Sequence, residues 1–270
     1  MPRDTKIGWC DHSWNPMVGC RKVSPGCTHC YAEAVTKRFG VSAFPHGFEP
    51  TFLPNRLSEP GSWRKPSRIF VDSMSDLFHP AFTTNQRDLV FDAMMASSRH
   101  DYIVLTKRSG LMRSYLTGSR ITEIRMDGSH IGWLERRRLD VLPDHIWIGT
   151  SIESDKYCVR ADYLRDIPAK IRFLSLEPLL GPLPNLDLDG ISWVIVGGES
   201  GPQHRPMDDA WARDIRDQCQ DKGIAFFFKQ HSGPRPGMNA TLDGKTWNEY
   251  PLPHPHSMSR LVAQLQAKYW

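Results

Sequence analysis

The 270-residue sequence predicts an α/β fold, a single β/α barrel that is partial or full and has mainly parallel strands. Two patterns in the sequence predict this fold. Short runs of β-branched and aromatic residues alternate with helix-like segments, as expected of strands joined by crossover helices. In addition, a polar or charged residue follows almost every predicted strand, and barrels build their active sites from the carboxyl ends of their strands.

The first predicted strand, near residues 7–14, leads into a loop with three cysteines. A helix is then predicted to begin after Tyr31 and to stop near Gly40. Six more strands are predicted at 68–72, 102–106, 145–150, 170–175, 191–196 and 224–228, with helices at 84–99 and 208–221. This order of elements predicts one mouth, at which the cysteine loop and the strand ends meet.

The segment after the last predicted strand is rich in Pro and Gly. It carries a predicted hairpin at Asp243-Gly244 and a last helix near 258–268. We therefore expect a barrel over residues 1–230, with the three-cysteine loop at 15–31. An extension over 231–270 is expected to pack on that barrel.

Composition restricts the class of protein. The chain is 40% hydrophobic and 24% charged, which is typical of a globular protein. No apolar run approaches the ~20 residues that cross a bilayer, and the N-terminus lacks the apolar region of a signal peptide. We therefore expect a cytoplasmic protein without a membrane partner, in which cysteines bind metal or act in catalysis more often than they form disulfides. The mild net charge of +4 permits a nucleic-acid partner. No oligomeric state is predicted.

The stretch Cys20-Arg-Lys-Val-Ser-Pro-Gly-Cys27-Thr-His-Cys30 places three thiols within eleven residues. Its Pro-Gly pair predicts a sharp turn that folds the first thiol back toward the other two. Three thiolates fit an iron–sulfur cluster with one open iron, because such clusters are held by cysteines. A structural zinc site, the alternative, needs a fourth ligand. The candidates for that ligand are Cys10, His12 and His29.

A three-cysteine loop after the first strand of an α/β barrel resembles the radical S-adenosyl-L-methionine (SAM) superfamily. The resemblance implies that Cys20, Cys27 and Cys30 ligate a [4Fe–4S] cluster. It further implies that the open iron binds SAM, whose reductive cleavage yields a 5′-deoxyadenosyl radical. The superfamily's usual spacing is Cys-x3-Cys-x2-Cys, whereas the first gap here is six residues. An electron donor such as a flavodoxin or ferredoxin is implied as a partner.

Five motifs carry a closer resemblance. They are Trp14-Asn-Pro-x-x-Gly-Cys20, Cys27-x-x-Cys30-Tyr31-Ala, Asp76-Leu-Phe, Leu105-Thr-Lys107 and Gly197-Gly-Glu-Ser-Gly201. With them the chain resembles, over about residues 7–250, a family of bacteriophage and prophage three-cysteine proteins of unsettled function. Ser75-Asp76-x-x-x-Pro80 and Thr106-Lys107 are more distantly similar to the spore photoproduct lyase branch of DNA-repair enzymes. These likenesses imply nucleic-acid repair or base modification in a phage context.

The superfamily resemblance also implies roles for residues at the strand ends. Ser73 and Ser75 are expected near the methionyl end of SAM, and Lys107 near its carboxylate. The residues expected to bind the cofactor are His29, Tyr31, Ser73, Ser75, Asp76, Thr106 and Lys107. Those expected to act on ribose or substrate, as catalytic residues, are Lys107, Glu153, Glu177 and Glu199. Four aromatic residues are candidates to stack on a base or on adenine, although a Trp near a barrel mouth more often packs in the core: Trp9, Trp14, His29 and Tyr31.

Two other classes of function stay open. A zinc- or cluster-stabilised phage binding protein would use the same thiols without catalysis. A metal-free barrel hydrolase would use two carboxylates at the strand ends, at a separation that the sequence does not show. Cleavage of SAM under a strong reductant separates the radical enzyme from both.

Overall fold

A computed structural model describes residues 5, 7–118, 120–126, 130–136 and 142–252. Its centre is a seven-stranded sheet in which all neighbouring strands pair in parallel. The strands, in an order that is the same in space and along the chain, are β1 (His12–Trp14), β2 (Arg68–Val71), β3 (Asp101–Thr106), β4 (Ile146–Ser151), β5 (Arg172–Leu176), β6 (Trp193–Gly197) and β7 (Ala225–Gln230). The sheet curls into a half-barrel, which confirms the predicted α/β class and the partial barrel.

Helices connect most of these strands. They are α1 (Tyr31–Ala43), α2 (Glu59–Ser62), α3 (Thr84–Ala96), α4 (Ser109–Thr117), α5 (Val159–Arg165) and α6 (Asp209–Asp221). Thr83 and Gln86 form a reciprocal capping box that begins α3. Gly40 has a φ of 62°, so regular helical geometry in α1 breaks at the predicted stop. No helix in the described parts of the chain is long and apolar enough to span a membrane.

The strands separate two hydrophobic cores, because successive side chains of a strand point to opposite faces of the sheet. Ile69 and Val71 of β2 pack in a core that also contains residues of α3, α4, α5 and α6. Phe70, between them, packs in a second core on the opposite face, here called the inner face. The buried residues of the inner face are Trp9, Phe70, Ile103, Trp147, Ile171, Phe173, Trp193, Ile195 and Phe227. Aromatic side chains therefore fill the half-barrel below its mouth.

Antiparallel strand pairs lie outside the main sheet. Thr241–Leu242 and Lys245–Thr246 form the predicted hairpin, and Asp243 and Gly244 in its turn have φ values of 54° and 73°. A longer antiparallel pair, residues 120–126 with 130–136, was not predicted from the sequence. The last predicted helix, near 258–268, lies outside the described residues.

Candidate functional site

The three cysteines lie on the loop between β1 and α1, at the carboxyl edge of the sheet. All three are free thiols and are partly buried. A 3-10 turn at Pro25–Cys27 folds the wider gap between the first two thiols, as the Pro-Gly pair predicts. Cys30 stands immediately before the first residue of α1. The thiols are thus brought to the edge at which the predicted site residues follow their strands.

The chain before the first thiol is fastened to the loop that follows β2. Gly19 N donates to Met74 O at 2.9 Å, and Ser75 Oγ donates to Gly19 O at 2.6 Å. Asn15 Oδ1 accepts hydrogen bonds from Met74 N at 2.8 Å and from Ser73 Oγ at 3.2 Å. Both serine hydroxyls that were expected near a cofactor therefore bond to the segment that carries the thiols. They fix the position of the first cysteine.

Gly19 can only be glycine in this arrangement. Its φ is 81°, and a Cβ atom at this position would lie 2.2 Å from the carbonyl oxygen of Glu49. Cys20 N donates to the neighbouring carbonyl, Phe48 O, at 3.1 Å. The backbone at Gly19 and Cys20 therefore packs closely against the backbone at Phe48 and Glu49. This contact fixes the backbone direction at Cys20.

Arg108 contacts the first thiol and was not among the predicted site residues. Its Nη1 donates to Cys20 Sγ at 3.4 Å and to Asp76 Oδ2 at 2.8 Å, and its Nη2 donates to Arg21 O at 2.7 Å. Thr106 Oγ1 donates to the other oxygen of Asp76 at 2.7 Å. Asp76 and Thr106, both buried, thus hold the guanidinium against the sulfur.

The thiols affect one another electrostatically. Burial raises the pKa of Cys20 to about 11; Asp76 and Cys27 add to the rise, and Arg108 opposes it. Burial also raises the pKa of Cys30, again with a contribution from Cys27. Cys27 thus lies within electrostatic range of both other thiols. Three free thiols on one loop match the cysteine donors of an iron–sulfur cluster. In the described parts of the chain, no three His, Cys, Asp or Glu side chains converge in a way that could hold a metal ion.

Glu153 follows β4 and lies fully buried against the cysteine loop. A Cβ atom at Gly26 would lie 3.1 Å from the carboxyl carbon of Glu153. Arg160 Nη1 lies 2.8 Å, and Lys107 Nζ 3.8 Å, from Glu153 Oε2. Burial acts to raise the pKa of Glu153, but Lys107, Ser24 and Arg160 outweigh burial and lower it. Glu153 is therefore an ionised group that supports the cysteine loop.

Glu177 follows β5 and sits between the ends of three strands. Lys229 Nζ, at the end of β7, pairs with Glu177 Oε1 at 2.8 Å. Ser175 Oγ donates to Glu177 Oε2 at 3.0 Å, and Lys107 Nζ donates to the carbonyl oxygen of Glu177 at 3.4 Å. A Cβ atom at Gly197 would lie 2.9 Å from Glu177 Oε1, so β6 passes close to this carboxylate.

Glu199 follows β6 and is linked to the middle of the cysteine loop by Arg205. The sequence did not indicate Arg205 as a site residue. Arg205 donates to Glu199 Oε2 from its backbone N at 2.9 Å and from Nε at 2.8 Å. Its Nη2 also donates to Pro25 O at 3.0 Å. His29 Nδ1 lies 3.1 Å from Glu199 Oε2. Glu199 therefore contacts the cysteine loop in two ways, through Arg205 and through His29.

The aromatic residues expected to stack on a base behave differently from one another. Trp9 and Trp14 are only 2% and 0% exposed, so the expectation that they stack on a ligand is wrong. Trp9 packs on Phe70 in the inner face, and Trp14 lies in the other core. Tyr31 keeps a half-exposed ring, while its hydroxyl donates to the Ser73 carbonyl oxygen. Tyr31, with the partly exposed His29, remains available for stacking beside the thiols.

The structure thus brings the predicted strand-end residues and the three thiols to one edge, and it adds Arg108, Arg160 and Arg205. The signal for Arg108 in the sequence was its position next to Lys107 at the end of β3. The roles assigned to these residues on a cofactor or substrate stay predictions.

Comparison with known proteins gives one match to a family model. The model is described as "Protein of unknown function (DUF5131)", and it matches residues 4–251. No curated protein matches the chain. Among solved structures, "Spore photoproduct lyase complexed with dinucleoside spore photoproduct" is similar at 12% sequence identity and a TM-score of 0.44. That match covers 81% of this chain, and this chain spans 63% of the length of the matched one.

Proposed function

Since the chain belongs to the DUF5131 family, whose function is unknown, we propose a function from its own site: a radical SAM-type iron–sulfur enzyme. The observation that carries the proposal is the set of three free thiols on one loop at the carboxyl edge of a parallel half-barrel. Fixed loops at this edge are where barrel enzymes place their chemistry. The motifs that resemble the superfamily lie on the same loop and strand ends.

Cys20, Cys27 and Cys30 would hold a [4Fe–4S] cluster. When bound, the cluster and SAM together supply a 5′-deoxyadenosyl radical by reductive cleavage of SAM. The chain's own residues supply position and charge. Arg108 places a cation on the Cys20 sulfur, where thiolate charge must be stabilised once the thiol loses its proton.

Lys107 would bind an anionic group of the ligand at the mouth. Its ammonium makes one long hydrogen bond, to Glu177 O at 3.4 Å, and stands 3.8 Å from Glu153. An ammonium has three donor hydrogens, so Lys107 can still donate to a carboxylate such as that of SAM. Glu177 and Glu199 would contact ribose or substrate from the neighbouring strand ends.

Nucleic acid is the substrate class we propose, for repair or base modification in a phage context. The mild positive charge of the chain, and the exposed ring of Tyr31 beside the thiols, support this choice. A base inside a duplex would have to flip out, at a cost of a few kcal/mol. Binding to single- and double-stranded oligonucleotides should weaken steeply with salt. Undetectable binding at low salt would point to a small-molecule or protein substrate.

The test is anaerobic loading of the apoprotein with iron and sulfide. We expect about four iron and four sulfide per chain and the broad visible absorption of a cluster. Variants Cys20→Ser, Cys27→Ser and Cys30→Ser should lose it, whereas Cys158→Ser should load as the wild type does. Dithionite and SAM should then give 5′-deoxyadenosine. If zinc alone co-purifies and iron and sulfide cannot be loaded, the proposal is wrong.

A binding protein without catalysis is the second candidate, and one observation favours it. The carboxylates at the strand ends already have partners in the chain: Glu153 pairs with Arg160, and Glu199 with Arg205. Such pairs suit a scaffold as well as an active site, and they disfavour a hydrolase that needs two free carboxylates. A cluster that loads without any cleavage of SAM would select this second candidate.

A further inference from the structure

Apart from its thiols, His29 and Tyr31, the segment from Arg21 to Val41 carries a surface of exposed side chains to which the proposed enzyme assigns no role. It comprises the cysteine loop and most of α1. We infer that this surface, here called the loop–α1 surface, docks an acidic protein that carries one electron. The inference rests on the proposed function, because only a redox cluster needs such a partner.

Charge is the first feature of the loop–α1 surface. The segment holds four of the chain's 34 Lys and Arg residues but only one of its 30 Asp and Glu residues. The basic residues are Arg21, Lys22, Lys37 and Arg38. The segment therefore has a formal net charge of +3, within which Lys22 and Lys37 pair with Glu33, and Arg21 pairs with Glu49 outside the segment. An acidic partner would be steered to this place.

Exposed apolar side chains are the second feature. Among the described residues, eight large hydrophobic side chains are exposed, and four of them belong to this segment. Three of these four, Val23, Phe39 and Val41, have no role in the ligand site proposed above, and Val41 is 76% exposed; the fourth is Tyr31. Scattered single apolar residues need no explanation, but a group of them within one short segment marks an interaction surface.

The loop and the helix form one continuous surface. Glu33 of α1 pairs with Lys22 of the loop at 3.2 Å and with Lys37, one helical turn on, at 2.7 Å. Lys22 Nζ also donates to Thr28 O at 3.1 Å, which holds it across the turn between the thiols. A partner that touches Lys37 is therefore next to the loop that carries Cys27 and Cys30.

The chemistry of the proposed reaction supplies the partner. Each SAM that is cleaved consumes one electron: the carrier is oxidised by one electron, and the S–C5′ bond of SAM is reduced to methionine and a 5′-deoxyadenosyl radical. The carrier must approach the cluster, because transfer between proteins needs short distances between redox centres. Exposed basic and apolar side chains on one segment suit a transient complex, in which opposite charges speed association and contact area stays small.

Binding is measured first, on the apoprotein, so that the result does not depend on the cluster. The variant is Lys37→Glu/Arg38→Glu on the loop–α1 surface. The control is Arg64→Glu/Lys65→Glu, a matched pair of exposed cations before β2, at the opposite edge of the sheet. Titration of a purified flavodoxin at low salt should give at least about tenfold weaker binding for the variant and an unchanged constant for the control.

Activity then separates the two proposals. With reduced flavodoxin as donor, the loaded variant should form 5′-deoxyadenosine at least about tenfold more slowly than the control; with dithionite, all forms should be equal. Equal flavodoxin binding and equal flavodoxin-supported rates in variant and control would overturn the docking surface and leave the enzyme proposal intact. If the wild type forms no 5′-deoxyadenosine even with dithionite, the proposed function fails, and the binding result alone decides whether the surface takes an acidic protein.

Discussion

Arg108 donates a hydrogen bond to the sulfur of Cys20 at 3.4 Å. Asp76 and the loop backbone hold the guanidinium on that sulfur, so the contact belongs to the folded chain and does not need a ligand to form. Hydrogen bonds to the sulfurs and the net charge around a cluster set its reduction potential. Arg108 is therefore placed to tune a cluster bound at this loop.

We predict that Arg108→Gln makes a cluster loaded at this loop harder to reduce. Loss of the cation beside a thiolate should lower the reduction potential by about 60 mV, the equivalent of about 1.4 kcal/mol for one electron. A redox titration followed by electron paramagnetic resonance measures the shift. Arg108→Lys should recover part of it, and Arg113→Gln, in an exposed ion pair on α4, should leave the potential unchanged. A potential equal to that of the wild type in Arg108→Gln would show that the contact does not tune the site.

Glu199 should make the stability of the fold depend on pH in the acid range. Burial acts to raise its pKa, but hydrogen bonds from Arg205 and His29 outweigh burial and lower the pKa to about 2, from an ordinary 4.5. The ionised group therefore stabilises the protein above pH 4.5, and this stability is lost as the pH falls from 4.5 to 2. The loss amounts to about 3 kcal/mol in the free energy of unfolding.

Urea denaturation between pH 2 and pH 5 measures this loss. Glu199→Gln should remove that part of the slope, whereas Glu49→Gln, in an exposed pair with Arg21, should change it little. The same slope in Glu199→Gln and the wild type would show that the Glu199–Arg205 pair does not contribute.

Asp72 should have the opposite effect: its burial should make the protein less stable as the pH rises. It is buried at the end of β2 with a φ of 55°. Burial raises its pKa well above the ordinary value, with a smaller contribution from Asp76, although Met17 N donates to its Oδ1. The folded protein therefore holds a proton that the unfolded chain releases above about pH 4, and stability falls by about 1.4 kcal/mol for each further pH unit until the folded group titrates.

Asp72→Asn tests this prediction, because Asn tolerates the same backbone conformation and carries no charge. The free energy of unfolding of the variant, relative to that of the wild type, should rise steadily between pH 4 and pH 7. Asp155→Asn provides the contrast, because hydrogen bonds from Asn185 lower the pKa of the Asp155 carboxylate. Ionised Asp155 therefore stabilises the fold above its ordinary pKa, and this contribution is lost in acid. A difference that stays flat with pH in Asp72→Asn would mean that Asp72 is ionised in the folded protein.

Much of the fold followed from local patterns. The β-rich runs located all seven strands of the sheet, and the Asp243-Gly244 pair located a hairpin, because both depend on short-range preferences. The hairpin of residues 120–126 and 130–136 was missed. The parallel pairing of the strands followed from the alternation of strands and helices, since parallel strands need crossovers.

The site was predicted less completely. Residue types at strand ends predicted that Asp76, Lys107 and Glu199 lie at the edge that carries the thiols. They could not show that Arg108 faces the thiol while Lys107 faces Glu153. Past the end of a strand, side chains no longer alternate in a fixed way. The direction of each side chain there is set by how the loops pack. Trp9 was a candidate both for ligand stacking and for packing, and its place against Phe70 depends on a tertiary contact that the sequence does not show.

The inner face of the sheet depends on residues far along the chain. Tyr250 stacks 3.8 Å from the guanidinium carbon of Arg68, Arg68 donates to Leu252 O at 2.9 Å, and Trp193 donates to Glu249 O at 2.9 Å. A protein shortened to residue 230 would uncover the aromatic side chains of the half-barrel and should aggregate. The shortest segment worth expressing for spectroscopy or crystallisation therefore extends to Leu252.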